Sequence, residues 1–459
     1  MSPTFRSLSN PNYRLYAAGG VVSNIGTWMQ RVAQDWLVLQ LATNGGTAIG
    51  ITTGLQFLPI LLLSPFAGVV ADRVPKQRLL QVTNAMMAGP ALVLGLLAVT
   101  DTAEVWHVYL LALLLGVGAA FDGPARQAFV SELVVPEDLP NAVGLNSASF
   151  NAARIVGPAV AGVLIAWLGG GASATGWVIL VNAVSYIAPI VMLGRLDRSA
   201  LDVAEPASRG PGAIREGVRY VRGRPDLMLV LAVVFFTGTF GLNFQMTSAL
   251  MATEVYHRGA TEYGLLGTFM AVGSLSGSLL AARRERVRHR LLLGAAVTFG
   301  AVEIVAAFAP TYLTFALLTP LLGLTALTMI TAANSFMQLH TDAGMRGRVM
   351  ALYLMIFMGG TPVGAPLIGW IGEQYGARAT LWVGGALTIA GTVLAAAVFR
   401  AAGRPRRDVL TPLWGASRLI PRVWDTQAVA RARKQPQPAQ TRTTPRMQQH
   451  HRARQGVGY

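Results

Sequence analysis

Residues 51–78 read ITTGLQFLPILLLSPFAGVVADRVPKQR. Positions 51–70 are uncharged and mostly apolar, and about 20 such residues are what an α-helix needs to cross the hydrocarbon core of a bilayer. Asp72 and the basic residues Arg73, Lys76 and Arg78 follow directly. An apolar helix that ends in a basic loop predicts a membrane-spanning segment whose end faces the cytoplasm.

The composition of the whole chain agrees with a repetition of this unit. Of 459 residues, 53% are hydrophobic and 13% are charged, and the mean hydropathy is +0.47. Soluble domains carry roughly 25% charged residues, so this composition excludes a water-facing globule, and it excludes a disordered chain or a coiled coil as well. Twelve stretches have the length and apolarity of a membrane span. We number them spans 1 to 12, and they lie near residues 15–41, 49–70, 79–100, 106–123, 143–168, 175–194, 227–250, 262–282, 291–309, 312–336, 349–371 and 378–399.

The basic residues predict how the spans are oriented. If the N-terminus is cytoplasmic, 33 of the 37 Lys and Arg residues fall in the N-terminus, the even-numbered connections and the tail. Arg258 and Arg378 fall on the opposite side, and Arg31 and Arg154 lie inside spans. One span more or fewer would move every later loop to the other side. We therefore expect an integral protein of the plasma (inner) membrane with both termini in the cytoplasm.

The chain divides into four segments. We expect an N-terminal six-helix bundle over 1–194, a cytoplasmic linker with a short basic amphipathic helix over 195–225, a C-terminal six-helix bundle over 226–399, and a disordered cytoplasmic tail over 400–459. A weak repeat relates the two bundles, because Gly157–Gly162 matches Gly364–Gly369 at an offset of 207 residues. The predicted fold is an all-α membrane protein with twelve transmembrane helices in two pseudo-symmetric six-helix bundles, and such repeats hold their substrate near the midplane.

Most of the net charge of +16 belongs to the tail. Residues 400–459 contain 13 Lys or Arg against two acidic residues. A basic segment next to a membrane attracts anionic lipid, so we expect lipid contact by the tail and no binding of nucleic acid.

The loop after span 2 contains a candidate conformational latch. Gly68 permits close helix packing, and Asp72 one turn later can bind a facing helix N-terminus or an Arg in one conformation and release it in the other. The alternative is an ordinary charged loop. The Gly-x-x-x-Asp-Arg pattern with following basic residues resembles the signature loop of the major facilitator superfamily, although Pro75 stands where that family usually has Gly. The resemblance implies a latch formed by Gly68, Asp72, Arg73 and Arg126.

Further stretches resemble the enterobactin-exporter-like branch of that superfamily, which includes siderophore and multidrug exporters. They are Phe5–Leu8, Asn12–Arg14, Gly26–Ala33, Pro124–Ala128, Pro136–Ala142 and Arg346–Val349. In span 5, Pro158 kinks the helix and the flanking glycines permit close packing, so Arg154, Gly157, Pro158 and Gly162 are a candidate pivot. Their similarity to the family's antiporter motif implies export by exchange, while the alternative is that Gly and Pro are simply common in membrane helices.

Four charges inside or at the ends of spans are candidates for proton coupling. Arg31 and Asp35 lie on one face of span 1, and a carboxylate at membrane depth faces a cavity or a partner. Asp35 is the first candidate, and a static Arg31–Asp35 pair is the alternative. Glu303 inside span 9 is the second. Asp122 at the cytoplasmic end of span 4 is the third, unless it is interfacial. Polar and aromatic residues that are candidates to line a cavity are Asn24, Trp28, Gln34, Gln56, Asn146, Asn151, Asn182, Asn243, Gln245, Tyr353 and Phe357.

No enzyme chemistry is indicated. Neither Lys76 nor Lys434 follows a Gly, which excludes a Gly-Lys-Ser/Thr phosphate loop, and no His-Glu-x-x-His motif or Cys is present. We expect no cofactor and no metal, a small-molecule substrate, protons as the second partner, and function as a monomer. The predicted activity is proton-coupled antiport that exports a small amphipathic molecule of the drug or siderophore class. A proton-symport importer of the same fold and a non-transporting scaffold or receptor that uses the basic tail stay open.

Overall fold

The computed structural model describes residues 3–201, 213–282, 289–342 and 344–402, and every regular element in these ranges is a helix. Nine spans are single helices: span 1 Pro11–Leu41, span 2 Gly45–Arg73, span 3 Lys76–Val99, span 4 Val105–Leu133, span 5 Leu139–Trp167, span 8 Ala260–Ala282, span 9 His289–Ala307, span 10 Tyr312–Leu339 and span 12 Ala377–Ala402. Three spans are interrupted. Span 6 is Ala172–Ser185 and Ile187–Gly194, span 11 is Arg346–Gly359 and Thr361–Tyr375, and span 7 is Pro225–Phe236, the π-turn Thr237–Gly241, Phe244–Leu250 and the π-turn Met251–Val255.

Eleven helical stretches in the described ranges are apolar and long enough to cross a membrane. They correspond to spans 2 to 12. Span 1 has 31 residues, which at 1.5 Å per residue make a helix of about 46 Å, but its polar residues around Arg31 and Asp35 lower its hydropathy. The twelve helices lie where the sequence predicts them, and the all-α fold class is confirmed.

Small residues bring the first six spans against the last six. Span 2 packs on span 11, where a Cβ on Gly50 would lie 2.5 Å from the carbonyl oxygen of Ala365. Span 5 packs on span 8, where a Cβ on Gly162 would lie 2.5 Å from the carbonyl oxygen of Ala260. Backbones approach this closely only where side chains are small. These two helix pairs therefore form the main contact between the two sets of spans.

The contact is confined to one end of the bundle. We call the end that carries loops 42–44, 168–171 and 256–259 the distal end, and the end that carries residues 9–10, 195–201 and 340–345 the terminal end. On the contact face of span 5 toward the terminal end, Ser147 is exposed and a Cβ on Gly144 would meet nothing within 4 Å. The spans thus touch at the distal end and separate toward the terminal end.

The buried apolar side chains follow the same division. One large cluster at the distal end joins residues from both sets, such as Leu37 and Leu266. At the terminal end there are two separate clusters. One contains Tyr13 and Phe129 with other residues of the first six spans, and the other contains Phe336 and Tyr353 with residues of the linker helix and the later spans. Each terminal-end core is therefore built from one set of spans alone.

The linker helix Ala213–Arg222 lies against the start of span 11. Glu216 forms an ion pair of 2.9 Å with Arg348, and the Tyr220 hydroxyl donates to Asp342 at 3.1 Å. The helix lies within the linker predicted over 195–225. The rest of the predicted linker over 202–212 and the tail from residue 403 lie outside the described residues.

Candidate functional site

A cavity of about 250 Å³ lies between spans 1, 2 and 5 on one side and spans 7, 8, 10 and 11 on the other. Its walls combine charged, amide and aromatic side chains. Nine residues singled out from the sequence line it: Trp28, Arg31, Gln34, Asp35, Gln56, Arg154, Pro158, Asn243 and Gln245. A cavity of this kind, mostly apolar with a few convergent polar groups, is typical of a small-molecule site.

Asp35 makes a bond across the cavity. The hydroxyl of Tyr263 on span 8 donates to its Oδ2 at 2.8 Å, and both residues are buried. The ring of Trp36 stacks on Tyr263 with centroids 6.3 Å apart. Among the described residues, no ion pair within 4 Å joins Arg31 to Asp35. The carboxylate therefore bonds to the opposite set of spans and not to Arg31 one turn away.

Two guanidinium groups share one aromatic ring on the cavity wall. Arg31 lies 4.9 Å and Arg154 5.7 Å from the centre of the Trp28 ring. Arg31 donates to Gln245 at 3.4 Å, and Arg154 donates to Ser274 at 3.3 Å. Cation–π contacts contribute up to about 2 kcal/mol where the groups are desolvated. These contacts hold both charges at the surface of the cavity.

The amide side chains in the cavity wall differ in their hydrogen-bond partners. The Gln34 side chain donates to Gln56 at 3.4 Å. The Asn243 side chain instead donates to the carbonyls of Thr239 and Phe240, at 2.9 and 3.2 Å, and so caps the π-turn of span 7. Asn243 thus supports the break in span 7 while it lines the cavity.

The four pivot residues lie where spans 1, 5 and 8 meet. Gly157 faces Trp28, since a Cβ there would lie 2.6 Å from the Trp28 Cβ, and Pro158 packs against Gly264 and Gly267. Proline leaves a carbonyl of the preceding turn without its helical partner, and the Thr268 hydroxyl of span 8 donates to the nearby Ile155 carbonyl at 2.8 Å. The turn of span 5 that precedes Pro158 is therefore bonded to the opposite set of spans.

The structure describes three of the four residues of the predicted latch in full. Arg73 is exposed, Gly68 is half-buried, and the Asp72 side chain lies outside the described residues. Arg126 pairs with Asp122 at 2.9 Å, and Asp122 also accepts from Thr83 at 3.0 Å and from Asn84. Asp122 and Arg126 thus form a bonded network within spans 3 and 4, away from the cavity lining.

Glu303 lies apart from the cavity in a second buried region. It is 3% exposed, and its Oε2 has no hydrogen-bond partner among the described residues. A Cβ on Gly241 of span 7 would lie 3.2 Å from this oxygen. The six remaining cavity candidates do not line the 250 Å³ cavity: Asn24, Asn146, Asn151, Asn182, Tyr353 and Phe357. Asn182 bonds Gln30 at 2.5 Å, Asn151 bonds the Ser147 carbonyl, and Tyr353 stacks on Phe357.

Two sets of bonded residues in these regions were not predicted from the sequence. Tyr263 has the position of an interfacial aromatic anchor at the start of span 8, so the pattern gave no signal for a partner of Asp35. The buried pair Lys76–Glu132, with 2.5 Å between its charged atoms, joins the loop after span 2 to the end of span 4. A lone acid at the end of an apolar span, facing a basic loop on the same side, is the signal that would have found it.

Comparisons with known proteins show which family the chain resembles. The family of transmembrane secretion effectors matches residues 2–408. The multidrug efflux pump Tap of Mycolicibacterium fortuitum is 30% identical over 383 residues, which are 80% of this chain and 90% of the pump. The staphyloferrin A transporter of Staphylococcus aureus is 24% identical over 373 residues, which are 81% of this chain and 92% of that transporter.

Solved structures share the fold at low identity. A D-xylose–proton symporter has a TM-score of 0.66 at 11% identity, covering 83% of this chain and 96% of the symporter. A bacterial homologue of the iron transporter ferroportin, in an inward-facing state, has a TM-score of 0.64 at 16% identity, covering 86% of this chain and 99% of that one. The protein is therefore a membrane transporter, not an enzyme, and it belongs to the family of transmembrane secretion effectors within the major facilitator superfamily.

Proposed function

We propose that the protein exports a small amphipathic molecule, of the drug or siderophore class, in exchange for protons by alternating access. The observation that carries this proposal is the Tyr263–Asp35 hydrogen bond, which joins spans 8 and 1 at the closed end of a cavity lined by aromatic and amide groups. The multidrug and siderophore transporters among the relatives support the substrate class.

The conformation suggests a cycle. The charge distribution predicts that the terminal end faces the cytoplasm, so the cavity is open to the cell interior while the distal end is closed. With Asp35 ionised, Tyr263 donates a charge-assisted hydrogen bond that favours the closed distal end. A proton from outside binds Asp35 when the distal end is open and this bond is absent. Its release into the cytoplasm, after the distal end has closed, leaves Asp35 ionised and forms the bond. Substrate enters from the cytoplasm in the state that has lost the proton.

The energy of one proton is sufficient for such an exchange. One charge that moves through 100 mV yields about 2.3 kcal/mol. Since about 1.4 kcal/mol corresponds to a tenfold ratio, one proton sustains a gradient of roughly fiftyfold for a neutral solute. The proposed transporter is a monomer whose two moving parts are the six-helix bundles over 1–194 and 226–399. Its proposed partners are protons, the solute and membrane lipid.

The test is an accumulation screen. Cells that lack their own efflux pumps are loaded with a panel of amphipathic dyes and antibiotics, with and without expression of this chain. We expect lower accumulation of some compounds, reversed by a protonophore. Inverted vesicles then give the direction: uptake of the same dye, driven by an acid lumen, supports export. Dye that leaves the lumen together with protons would replace the proposal with a symport importer.

Asp35→Asn tests the proton carrier. We expect this variant to insert normally and to lose proton-coupled uptake into inverted vesicles, because an amide cannot be ionised. Asp101→Asn, at an exposed loop position of the distal end, is the matched control and should transport normally. Surviving proton coupling in Asp35→Asn would move the assignment to Glu303 or Asp122.

A further inference from the structure

Span 7 is broken beside a buried acid. The π-turn Thr237–Gly241 is closed by the Leu242 amide, which donates to the Thr237 carbonyl at 2.9 Å, and the chain resumes a regular helix at Phe244. π-turns within helices are frequent at functional sites. No proline lies between Thr237 and Phe244 to require this break, so it has to be explained by what surrounds it.

Two polar atoms without partners face the turn at Gly241. A Cβ on Gly241 would lie 3.2 Å from Glu303 Oε2 of span 9 and 2.7 Å from Thr388 Oγ1 of span 12, so the glycine leaves room for both. Neither atom has a hydrogen-bond partner among the described residues, and Thr388 is fully buried. By contrast, Thr392 one turn further on donates to the Thr388 carbonyl at 2.7 Å. Buried polar atoms without partners are rare and need a specific explanation.

Glu303 also has no counter-charge. Span 9 packs on spans 7, 10 and 12, and their inner segments 227–250, 313–336 and 379–399 contain no Asp, Glu, His, Lys, Arg or Tyr. On these four elements, titratable groups stand near the ends, at Asp226, Glu254, His289, Arg290, Tyr312, Arg378 and Arg400. An isolated carboxylate at membrane depth is costly, so a bound cation that neutralises it stabilises this arrangement.

The other side of the turn is the wall of the transport cavity. Leu242, Asn243 and Gln245 follow the turn directly and line the cavity. The turn also touches span 11 at its own break, because a Cβ on Gly238 would lie 2.9 Å from the Phe357 carbonyl oxygen. Span 11 in turn packs on span 2. One turn thus connects Glu303 with the cavity wall and with the contact between the two sets of spans.

We propose that Glu303, Thr388 and the Thr237–Gly241 turn form a second proton-binding site, outside the substrate cavity, whose occupancy sets the bend of span 7. The proposal builds on the proposed transport function by adding a proton site to it. When the carboxyl group is protonated, its hydroxyl can donate to Thr388 Oγ1 and the turn can close over a neutral group. When it is ionised, the turn has to open toward water, and the cavity wall moves with it.

A proton fits the site better than a metal ion. Glu303 and Thr388 supply one carboxyl group and one hydroxyl, whereas Ca²⁺ and Mg²⁺ are held by about six or more oxygen ligands. Among the described residues, no cluster of three acidic, His or Cys side chains is present. Na⁺ is the competing occupant that the experiment has to separate.

The first measurement is infrared difference spectroscopy of the purified protein between acidic and neutral pH. We expect a band of a protonated carboxyl group that disappears in Glu303→Gln and remains in Asp35→Asn. Thr388→Val should shift this band, because the hydroxyl partner is lost, and the matched variant Thr392→Val should leave it unchanged. An identical spectrum of wild type and Glu303→Gln would overturn the proposal.

The second measurement reports the bend. The chain has no Cys, so Ser147→Cys on the open face of span 5 introduces a single thiol whose maleimide labelling rate follows the opening. Because maleimide reacts with the thiolate, and because Asp35 also titrates in the proposed cycle, the rate is measured in the Asp35→Asn background and divided by that of Ser199→Cys, which is at an exposed position.

We expect this relative rate to depend on pH at constant Na⁺, and this dependence to be lost when Glu303→Gln is added. Gly241→Ala should also abolish it, whereas Gly294→Ala, whose Cβ would meet open space, should retain it. A rate that follows Na⁺ at constant pH, or a pH dependence that survives Glu303→Gln, would overturn the proposal.

Neither measurement needs a transport substrate. A failure of dye export with an intact Glu303 band would therefore refute the proposed export function and leave the proton site standing. Normal export in the absence of a Glu303 band would refute the proton site and leave the proposed export function standing.

Discussion

Asp35 has two neighbours of different kinds, and their positions explain what each does. Arg31 lies one turn away on the same helix, so a movement between the two sets of spans does not change the separation of their backbones. Tyr263 lies on span 8, 228 residues away in sequence, and its hydroxyl donates at 2.8 Å. Only the second contact can form and break when the two sets of spans move. In the proposed cycle, the pair Asp35–Tyr263 therefore couples the proton to the movement.

Tyr263→Phe removes this contact and little else. A hydrogen bond to a charged group contributes about 1.5–3 kcal/mol, so we expect the equilibrium to shift by at least about tenfold away from the closed distal end. The labelling rate of Ser147→Cys should fall accordingly. Tyr256→Phe, which loses a 3.0 Å bond to the Ala309 carbonyl, is the control and should leave the rate unchanged. An equal effect of both variants would contradict the role of Tyr263.

Asp72→Asn tests the latch after span 2. The resemblance implies that Asp72 bonds in the state in which the terminal end is closed. A carboxylate near a helix N-terminus contributes up to about 1 kcal/mol when exposed, so we expect turnover of the exported dye to fall by about fivefold while dye binding and membrane insertion are retained. Glu137→Gln, in an exposed loop of the same end, should transport normally. Unchanged turnover of Asp72→Asn would leave the ordinary charged loop as the better explanation.

The two sets of spans contact each other through glycine residues, and these contacts define the closed distal end. Span 2 presents Gly46, Gly50 and Gly54 at four-residue intervals, so all three lie on one face against span 11. In a lipid-facing bundle, association depends on close packing, because lipid is as apolar as a leucine side chain. A row of small residues therefore defines the closed contact of the distal end more sharply than a row of large apolar ones would.

Gly50→Ala is expected to open this contact. Its Cβ would lie 2.5 Å from the Ala365 carbonyl oxygen and 3.0 Å from the Ala365 carbonyl carbon, and overpacking of this kind costs about 1–3 kcal/mol. We expect a lower thermal unfolding midpoint of the solubilised protein and slower labelling of Ser147→Cys. Gly89→Ala on span 3 meets open space, so it should keep the midpoint or raise it. A midpoint of Gly50→Ala equal to that of Gly89→Ala would show that the spans separate without strain.

The two sets of spans are in contact at the distal end and separate at the terminal end. The shared apolar cluster lies at the distal end, and each terminal-end cluster belongs to one set of spans. The two sets can rotate against each other without breaking either terminal-end core. The interruptions in spans 7 and 11 lie near the cavity or the contact between the sets, where the proposed alternating access requires a helix to bend.

Deletion of residues 405–459 separates the transport core from the tail. We expect the shortened chain to lower dye accumulation as the full chain does, because the described helices end at residue 402 and the cavity is complete without the tail. Weaker binding to vesicles that contain anionic lipid is the expected loss. Abolished dye export, with normal amounts of protein in the membrane, would favour the scaffold function.

The order of amino acids along the chain was sufficient to predict the twelve spans, their orientation, the polar residues that enter the membrane and the resemblance to a transporter family. These follow from the transfer of side chains and backbone from water to lipid, which depends on composition and spacing along the chain. The contacts between helices were not predictable in this way: Asp35 bonds Tyr263, Asn182 bonds Gln30 away from the cavity lining, and Glu303 Oε2 has no hydrogen-bond partner among the described residues beside the turn in span 7. The helical repeat indicates which face of a span is polar, but it does not indicate which neighbour that face meets. Lipid and protein interior are equally apolar, so the pattern of hydropathy cannot tell a face toward lipid from a face toward another helix.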